Sequence, residues 1–363
     1  MTLHLVAYPH TRLDGGFDTC AYTQKVVRFR RLAVQRDLII YGTAGADVVL
    51  LDEDERATIF GPDDPACLPT WPLADQWSLL NERAIMGIRE RAEKGDLLLL
   101  AGGQSQQKIP DSLALTVVEP FVGYEGILPA SARAFESHAH RHYVYGKSGI
   151  ADGCWLDTVI PNFFDPDDFP QAGYPSRDYL LFLGRVTLRK GVEVAQKIAR
   201  AVGMPLIVAG PGGRIEFGQL VGDYLSVDAD GIDYVGTVGP VERAELLANA
   251  RALLAPTLYL EPFGGVAVEA QMCGTPVIAP PFGAFPETVV DGETGFLVST
   301  IAEGAAAVAA CEALDHIYIA ERARYLFSLD AIGPRFARWF DRIETVMEHG
   351  WYAVPEESRG LRG

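Results

Sequence analysis

Two carboxylates, Glu261 and Glu269, bracket the stretch Glu261-Pro-Phe-Gly-Gly-Val-Ala-Val-Glu269, which runs on into Ala-Gln-Met-Cys273-Gly274-Thr275-Pro276. Seven residues separate the two acids, and Gly264 and Gly265 stand where a helix should begin. Backbone N–H groups at a helix start, with carboxylates close by, suit a diphosphate joined to hydroxyl-rich groups. Eight residues of ideal helix turn through about 800°, so the two carboxylates would sit roughly 80° apart even if both were helical. They therefore read as grips on the two ends of one ligand rather than as an acid–base pair. The spacing alone is weak. The paired glycines, the flanking strands expected at 252–256 and 276–279, and the Cys-Gly-Thr-Pro exit make it specific.

A second cluster supplies positive charge. The strand expected at 179–183 ends in Gly184-Arg185-Val-Thr-Leu-Arg189-Lys190-Gly191, with a helix to follow. Arg185 and Lys190 there can neutralise a diphosphate leaving group as its bond breaks; taken alone they also fit ordinary surface cations. The next strand ends in Ala209-Gly210-Pro211-Gly212-Gly213, a turn that permits close backbone approach to a ligand. Val235 and Gly236, at the end of a further strand, lead into a loop where a base can be read by backbone groups. In the first half, Gly15 and Gly16 precede a helix, the position for meeting a phosphate from the opposite wall; a tight turn that needs glycine is the other reading. His138 and His142 are four apart on one helix face, as metal ligands would be. The pattern His-Ala-His-Arg-His lacks the acid of a zinc helix and no third ligand is evident. The expectation is no metal, and a polar or interdomain face. Neither Gly-x-Ser-x-Gly nor a P-loop motif occurs.

The elements that must position these residues alternate. Strands are expected at 3–8, 38–41, 47–51, 97–100, 115–118 and 157–160, and helices at 19–35, 75–94 and 130–145. A proline- and aspartate-rich break at 161–175 reads as a linker. A second series of strands follows at 179–183, 205–209, 232–235, 252–255 and 277–279. The fold class is therefore α/β, with two doubly wound Rossmann-like domains facing across a cleft, residues 1–165 and 166–330. A last helix, 332–348, opens the closing segment 331–363 and carries Phe336, Trp339, Phe340 and Ile343 at helical spacing.

Composition bounds the function. With 31 Lys plus Arg against 48 Asp plus Glu, the net charge is −17, which disfavours nonspecific binding to nucleic acid or anionic membrane. One basic stretch runs against it: Lys25, Arg28, Arg30, Arg31 and Arg36 lie in a twelve-residue span without an acid. It reads either as a solvated helix face or as a dock for an anionic lipid or a modified nucleic acid. The five scattered cysteines indicate neither a disulfide framework nor a zinc site. No run is long and apolar enough to span a bilayer, and the N-terminus lacks a signal peptide's pattern. A cytoplasmic protein, at most peripheral at a membrane, is expected.

The region 179–298 resembles the family-4 glycosyltransferases, retaining enzymes of the two-Rossmann glycosyltransferase B architecture. The resemblance rests on Gly184-Arg185 with Lys190-Gly191, the Glu261…Glu269 run, Cys273-Gly274-Thr275-Pro276, and Pro286-Glu287 with Asp291-Gly292-Glu-Thr-Gly295. It implies a nucleoside-diphosphate sugar, most commonly a UDP-sugar, held mainly by the second domain without metal or other cofactor. Arg185 and Lys190 would hold the diphosphate. Glu261 would contact the donor sugar beside the backbone of Phe263, Gly264, Gly265 and Val266, and Glu269 would bind the ribose. The last helix would cross back to the first domain. The family also commonly places a histidine after a central strand of the first domain. Here residues 115–118 run into Glu119-Pro120-Phe121 instead, so Glu119, or His138 swinging in, is the candidate for that space. The acceptor is open, with a small molecule or glycan favoured. Two other functions fit the same residues: a sugar-nucleotide epimerase of this architecture, and a nucleotide-sugar-binding protein without catalysis.

Overall fold

The computed structural model describes residues 1–14, 20–32, 34–61, 74–171 and 175–350. The first sheet holds seven parallel strands: β1 (Thr2–Val6), β2 (Asp37–Gly42), β3 (Val48–Val49), β4 (Leu97–Leu100), β5 (Thr116–Val122), β6 (Ala132–Phe135) and β7 (Thr158–Val159), in the order β3-β2-β1-β4-β5-β6-β7. Helices α1 (Ala21–Phe29), α2 (Glu53–Phe60), α3 (Ser78–Arg89) and α4 (His138–Ser148) connect them. Strand β4 is Leu-Leu-Leu-Leu and buried throughout, as a parallel strand covered on both faces must be.

The second sheet has six parallel strands. These are β8 (Leu180–Leu183), β9 (Leu206–Ala209), β13 (Ile232–Gly236), β14 (Ala252–Leu254), β15 (Val277–Ala279) and β16 (Gly295–Leu297), in the order β13-β9-β8-β14-β15-β16. Between β9 and β13 the chain forms an antiparallel meander, β10 (Arg214–Glu216), β11 (Gln219–Gly222) and β12 (Leu225–Asp228), that the sequence did not announce. The helices are α5 (Val192–Val202), α6 (Pro240–Asn249), α7 (Gly265–Met272), α8 (Phe285–Thr288), α9 (Ile301–Ala310), α10 (His316–Phe327) and α11 (Leu329–His349). Both sheets reverse strand order beside their first strand, β1/β4 and β8/β14. In such sheets the ligand crevice lies beyond the carboxyl ends of the strands at that point.

The two domains are joined twice. The linker packs rather than floats: Phe163 enters the first core, while Phe164 and Phe169 enter the second. Phe164 donates its N–H to Phe327 O at 2.9 Å and accepts from Leu329 N at 3.0 Å, so the outgoing and returning chains cross side by side. Helix α11 then lies on the first domain. Ile332, Phe336, Trp339, Phe340 and Ile343 belong to its core, and Trp339 Nε1 donates to Leu156 O at 2.8 Å. Ser328 caps this helix, which starts ahead of the expected 332 and runs through Gly333 and Pro334. Among the described residues no helix is long and apolar enough to cross a membrane.

Two local readings change. Residues 130–145 are not one helix. They form strand β6 and then α4, whose start is set by Ser137 accepting from His140 N at 3.0 Å. Strand β5 extends past Pro120 to Val122, with the irregular register against β6 that a proline demands.

Candidate active site

The second domain brings its candidate residues to one edge. The carboxyl ends of β8, β9 and β13 are tied in series: Gly184 N donates to Ala209 O at 2.9 Å and Gly210 N to Gly236 O at 2.6 Å. Gly210 has φ +139°, and a Cβ there would lie 2.1 Å from Gly184 O, so the close approach requires glycine. Val235 stands partly exposed at the end of β13 beside Gly236. The loop after β8 meets the loop after β14 across the switch point. Gly191 has φ +81°, and a Cβ there would lie 1.9 Å from Pro256 O.

That junction places Lys190 on Glu261. Lys190 Nζ donates to Glu261 Oε2 at 2.7 Å, and Tyr259 OH donates to the same oxygen at 2.7 Å. Arg189 lies over the Tyr259 ring at 4.4 Å and Lys190 at 5.1 Å. Burial, with Glu261 next in effect, raises the Tyr259 hydroxyl's pKa far above its usual value, so it stays a donor. The backbone of Glu261 is set from the far side, where its carbonyl accepts from Ala284 N at 3.1 Å. Gly264, at φ +73°, turns the chain into α7, whose first residues are Gly265 and Val266. The Phe263 side chain is buried against Phe164 and Phe327, so only its backbone can face a ligand. Further along α7, Glu269 is buried with Arg243 Nε 3.9 Å from its carboxylate. Arg185 is exposed and, among the described residues, its side chain has no hydrogen bond or ion pair.

The first domain supplies the facing wall. His10, in the loop after β1, is buried with Cys20 Sγ 3.7 Å from its Nε2. Burial lowers its pKa to about 4, helped by the charges of Arg185 and Arg56, so it is a neutral imidazole at neutral pH. Tyr22 of α1 donates to Gly123 O at 3.1 Å and feels the charge of Glu261 across the cleft. At the start of α4, Ser137 Oγ donates to Pro262 O at 2.6 Å. The Glu287 carboxylate of the second domain accepts from His138 N at 2.9 Å and Ala139 N at 2.8 Å. The two domains therefore touch at one end of the crevice.

Residues 177–316 match the family profile described as glycosyl transferases, group 1. The match lies wholly within the second domain. Curated relatives agree over part of their length. The D-inositol 3-phosphate glycosyltransferase of Arthrobacter sp. FB24 is 31% identical over 221 residues, 57% of this chain and 51% of that protein. The one from Mycobacterium marinum is 36% identical over 165 residues, 41% of this chain and 35% of that one. The matched segments thus span about a third to a half of these relatives. Solved structures share the whole two-domain fold. A glycosyltransferase of avilamycin A biosynthesis superposes with a TM-score of 0.64 at 20% identity, covering 95% of this chain and 98% of its own. Sucrose-phosphate synthase of Thermosynechococcus elongatus gives 0.69 at 17%, covering 94% and 99%. Anabaena HepE in complex with UDP and glucose gives 0.63 at 14%, also covering 94% and 99%.

Expectations for the first domain need correction. Glu119 does not reach the crevice. It lies mid-strand in β5, fully buried, accepting from Leu128 N at 2.9 Å and Tyr124 OH at 2.8 Å, with Arg133 Nε at 3.3 Å. The strand ends instead at Val122, and a Cβ on the next residue, Gly123, would lie 2.2 Å from Glu136 Oε1. The Glu136 carboxylate, bound by Lys25 and by Asn162 Nδ2 at 3.1 Å, fills the space where a side chain would project. His138 is exposed, with its backbone N–H held by Glu287 and Arg141 Nη2 3.4 Å from its Nδ1.

The basic stretch is not a free charged face. Lys25 is buried on Glu136, Arg30 pairs with Asp47, Arg31 with Asp165, and Arg36 with Asp341 and Glu344. Gly15 and Gly16 lie outside the described residues. His10 and Tyr259 escaped the sequence reading. Each sits beside a residue or loop already singled out, and that adjacency was the only available signal.

Proposed function

We propose that this protein is a retaining glycosyltransferase that moves a sugar from a nucleoside-diphosphate sugar, UDP-linked, to a hydroxyl-bearing small molecule or glycan. The observation that carries the proposal is the Lys190–Glu261–Tyr259 cluster. It spans the strand-order switch of the second domain, with Arg185 free on one side and the Gly-Gly start of α7 on the other. Arg185, Lys190 and the α7 N–H groups would neutralise the diphosphate as the bond from the anomeric carbon to phosphate oxygen breaks. These cations, rather than a metal ion, would carry that charge. Glu261 would orient the sugar hydroxyls and Glu269 the ribose. The acceptor oxygen would bond to the anomeric carbon on the face being vacated, and its proton would pass to the departing phosphate oxygen. HepE, of the same fold, was solved with UDP and glucose, which supports UDP as the carrier.

The test uses the full chain. UDP and UDP-sugars should raise the melting temperature by mass action. Arg185→Ala, Lys190→Ala and Glu261→Ala should each lower transfer by about a hundredfold or more while the unliganded fold survives. Undiminished transfer in all three variants would sink the assignment.

A further inference from the structure

Between the domains lies a cavity of about 180 Å³ that the donor reading does not use. Thr23, Gln24, Arg28 and Arg31 of the α1 segment line one side; Arg243 and Pro240 of α6 line the other, with Arg12 and Asp168 at its edges. Four guanidinium groups therefore face one small space. Arg12 Nε donates to Asp14 at 3.0 Å, and Arg31 pairs with Asp165. Arg243 has only the 3.9 Å approach to Glu269, and its buried Nε has no hydrogen bond. Arg28 is 8% exposed and lies flat over the Phe164 ring at 4.7 Å. Among the described residues its guanidinium has neither a hydrogen bond nor an ion pair, although it feels the charges of Glu269, Arg243, Asp168 and Asp165.

A buried guanidinium with unused donors is costly unless an anion completes it. The volume falls below the roughly 300–1,000 Å³ that encloses a whole drug-sized ligand, so the cavity suits a small anion or one group of a larger molecule. Planar arginine forks from opposite walls match the tetrahedral oxygens of phosphate.

We infer that this interdomain cavity binds a phosphate group, held by Arg28 and Arg243. The cavity adjoins the donor side, since Arg243 approaches Glu269 at 3.9 Å, but neither Arg185 nor Lys190 lines it. The phosphate can be free, carried by the acceptor, or the nucleotide's own, and the arms of the test separate these.

Full-length protein is titrated calorimetrically with inorganic phosphate in chloride buffer at fixed ionic strength, with and without saturating UDP. Binding is expected in the wild type, at least tenfold weaker in Arg28→Met and unchanged in Arg30→Met, since Arg30 pairs with Asp47 outside the cavity. Asp168→Asn, which removes the one carboxylate lining the cavity, should tighten it. Should Arg28→Met fail to fold, Arg28→Lys keeps the charge but loses the fork, and should bind more weakly than the wild type. Phosphate binding that survives UDP places the group on the acceptor or free in solution. Loss of binding in UDP assigns the cavity to the nucleotide's own phosphates and overturns a second site. Wild-type-like binding in Arg28→Met or Arg28→Lys, or no binding in the wild type, overturns the inference outright. The UDP arm also reports on the donor reading by itself, so failure of one is distinguishable from failure of the other.

Discussion

At the level of single residues, environment decides charge. Glu119 and Glu261 are both glutamates beside a cation and a tyrosine, yet only Glu261 faces the crevice. Burial dominates at Glu119 and lifts its pKa from 4.5 to about 7, against the opposing hydrogen bonds from Leu128 and Tyr124 and the Arg133 charge. A carboxyl whose folded pKa is raised contributes stability that is full below about 4.5 and lost as pH rises through about 7. Urea melts across that window should therefore show the wild type losing up to about 1.4 kcal/mol per pH unit relative to Glu119→Gln. Parallel pH profiles for the two proteins would contradict this. His10 runs the other way: its neutral form is favoured, so its contribution is present above pH 6.5 and lost as pH falls through about 4. Glu119 illustrates the limit of reading residues in a row. Its neighbours Pro120 and Phe121 suggested a strand end, but β5 continues to Val122 and turns Glu119 into the core. The sequence contains no signal for that, because a bulge lets a strand pass a proline.

At the level of elements, the edge that carries Arg185, Lys190 and Glu261 was legible because its pattern is local. Glycines at Gly184, Gly210, Gly236 and Gly264 mark strand ends and a helix start, and the structure shows positive φ at each. Gly191 shows why such positions admit no other residue: its φ is +81° and a Cβ would strike Pro256 O at 1.9 Å. Gly191→Ala should force the loops after β8 and β14 apart and part Lys190 from Glu261. The expected cost is about 1–3 kcal/mol for the backbone conformation alone, with loss of the UDP-induced rise in melting temperature. A variant that melts and binds UDP like the wild type would show that the junction does not matter. The meander at 214–228 was illegible, since strands of three or four residues carry little periodic signal.

At the level of the whole molecule, α11 fastens the second domain to the first. Trp339 is 3% exposed, and its indole N–H is bonded to Leu156 O. Trp339→Ala should cost about 3–5 kcal/mol in the first domain, read as an earlier thermal transition of that domain, while the second domain melts as before. A single unshifted transition would place the helix outside the first core.

The sequence by itself determined the two α/β halves, the helical return and the strand-end loops that carry Arg185, Lys190 and Glu261. Those follow from period, turn residues and the spacing of charged groups within short segments. Only the tertiary structure decided what faces what. It set the Lys190–Glu261 pair, with a separation of 71 residues, the neutral His10 beside Arg185, the burial of Lys25 on Glu136, and the arginine-lined cavity between the domains. The reason is physical. Each depends on side chains from strands or domains distant in the chain, and on the water that their meeting excludes, neither of which local pattern records.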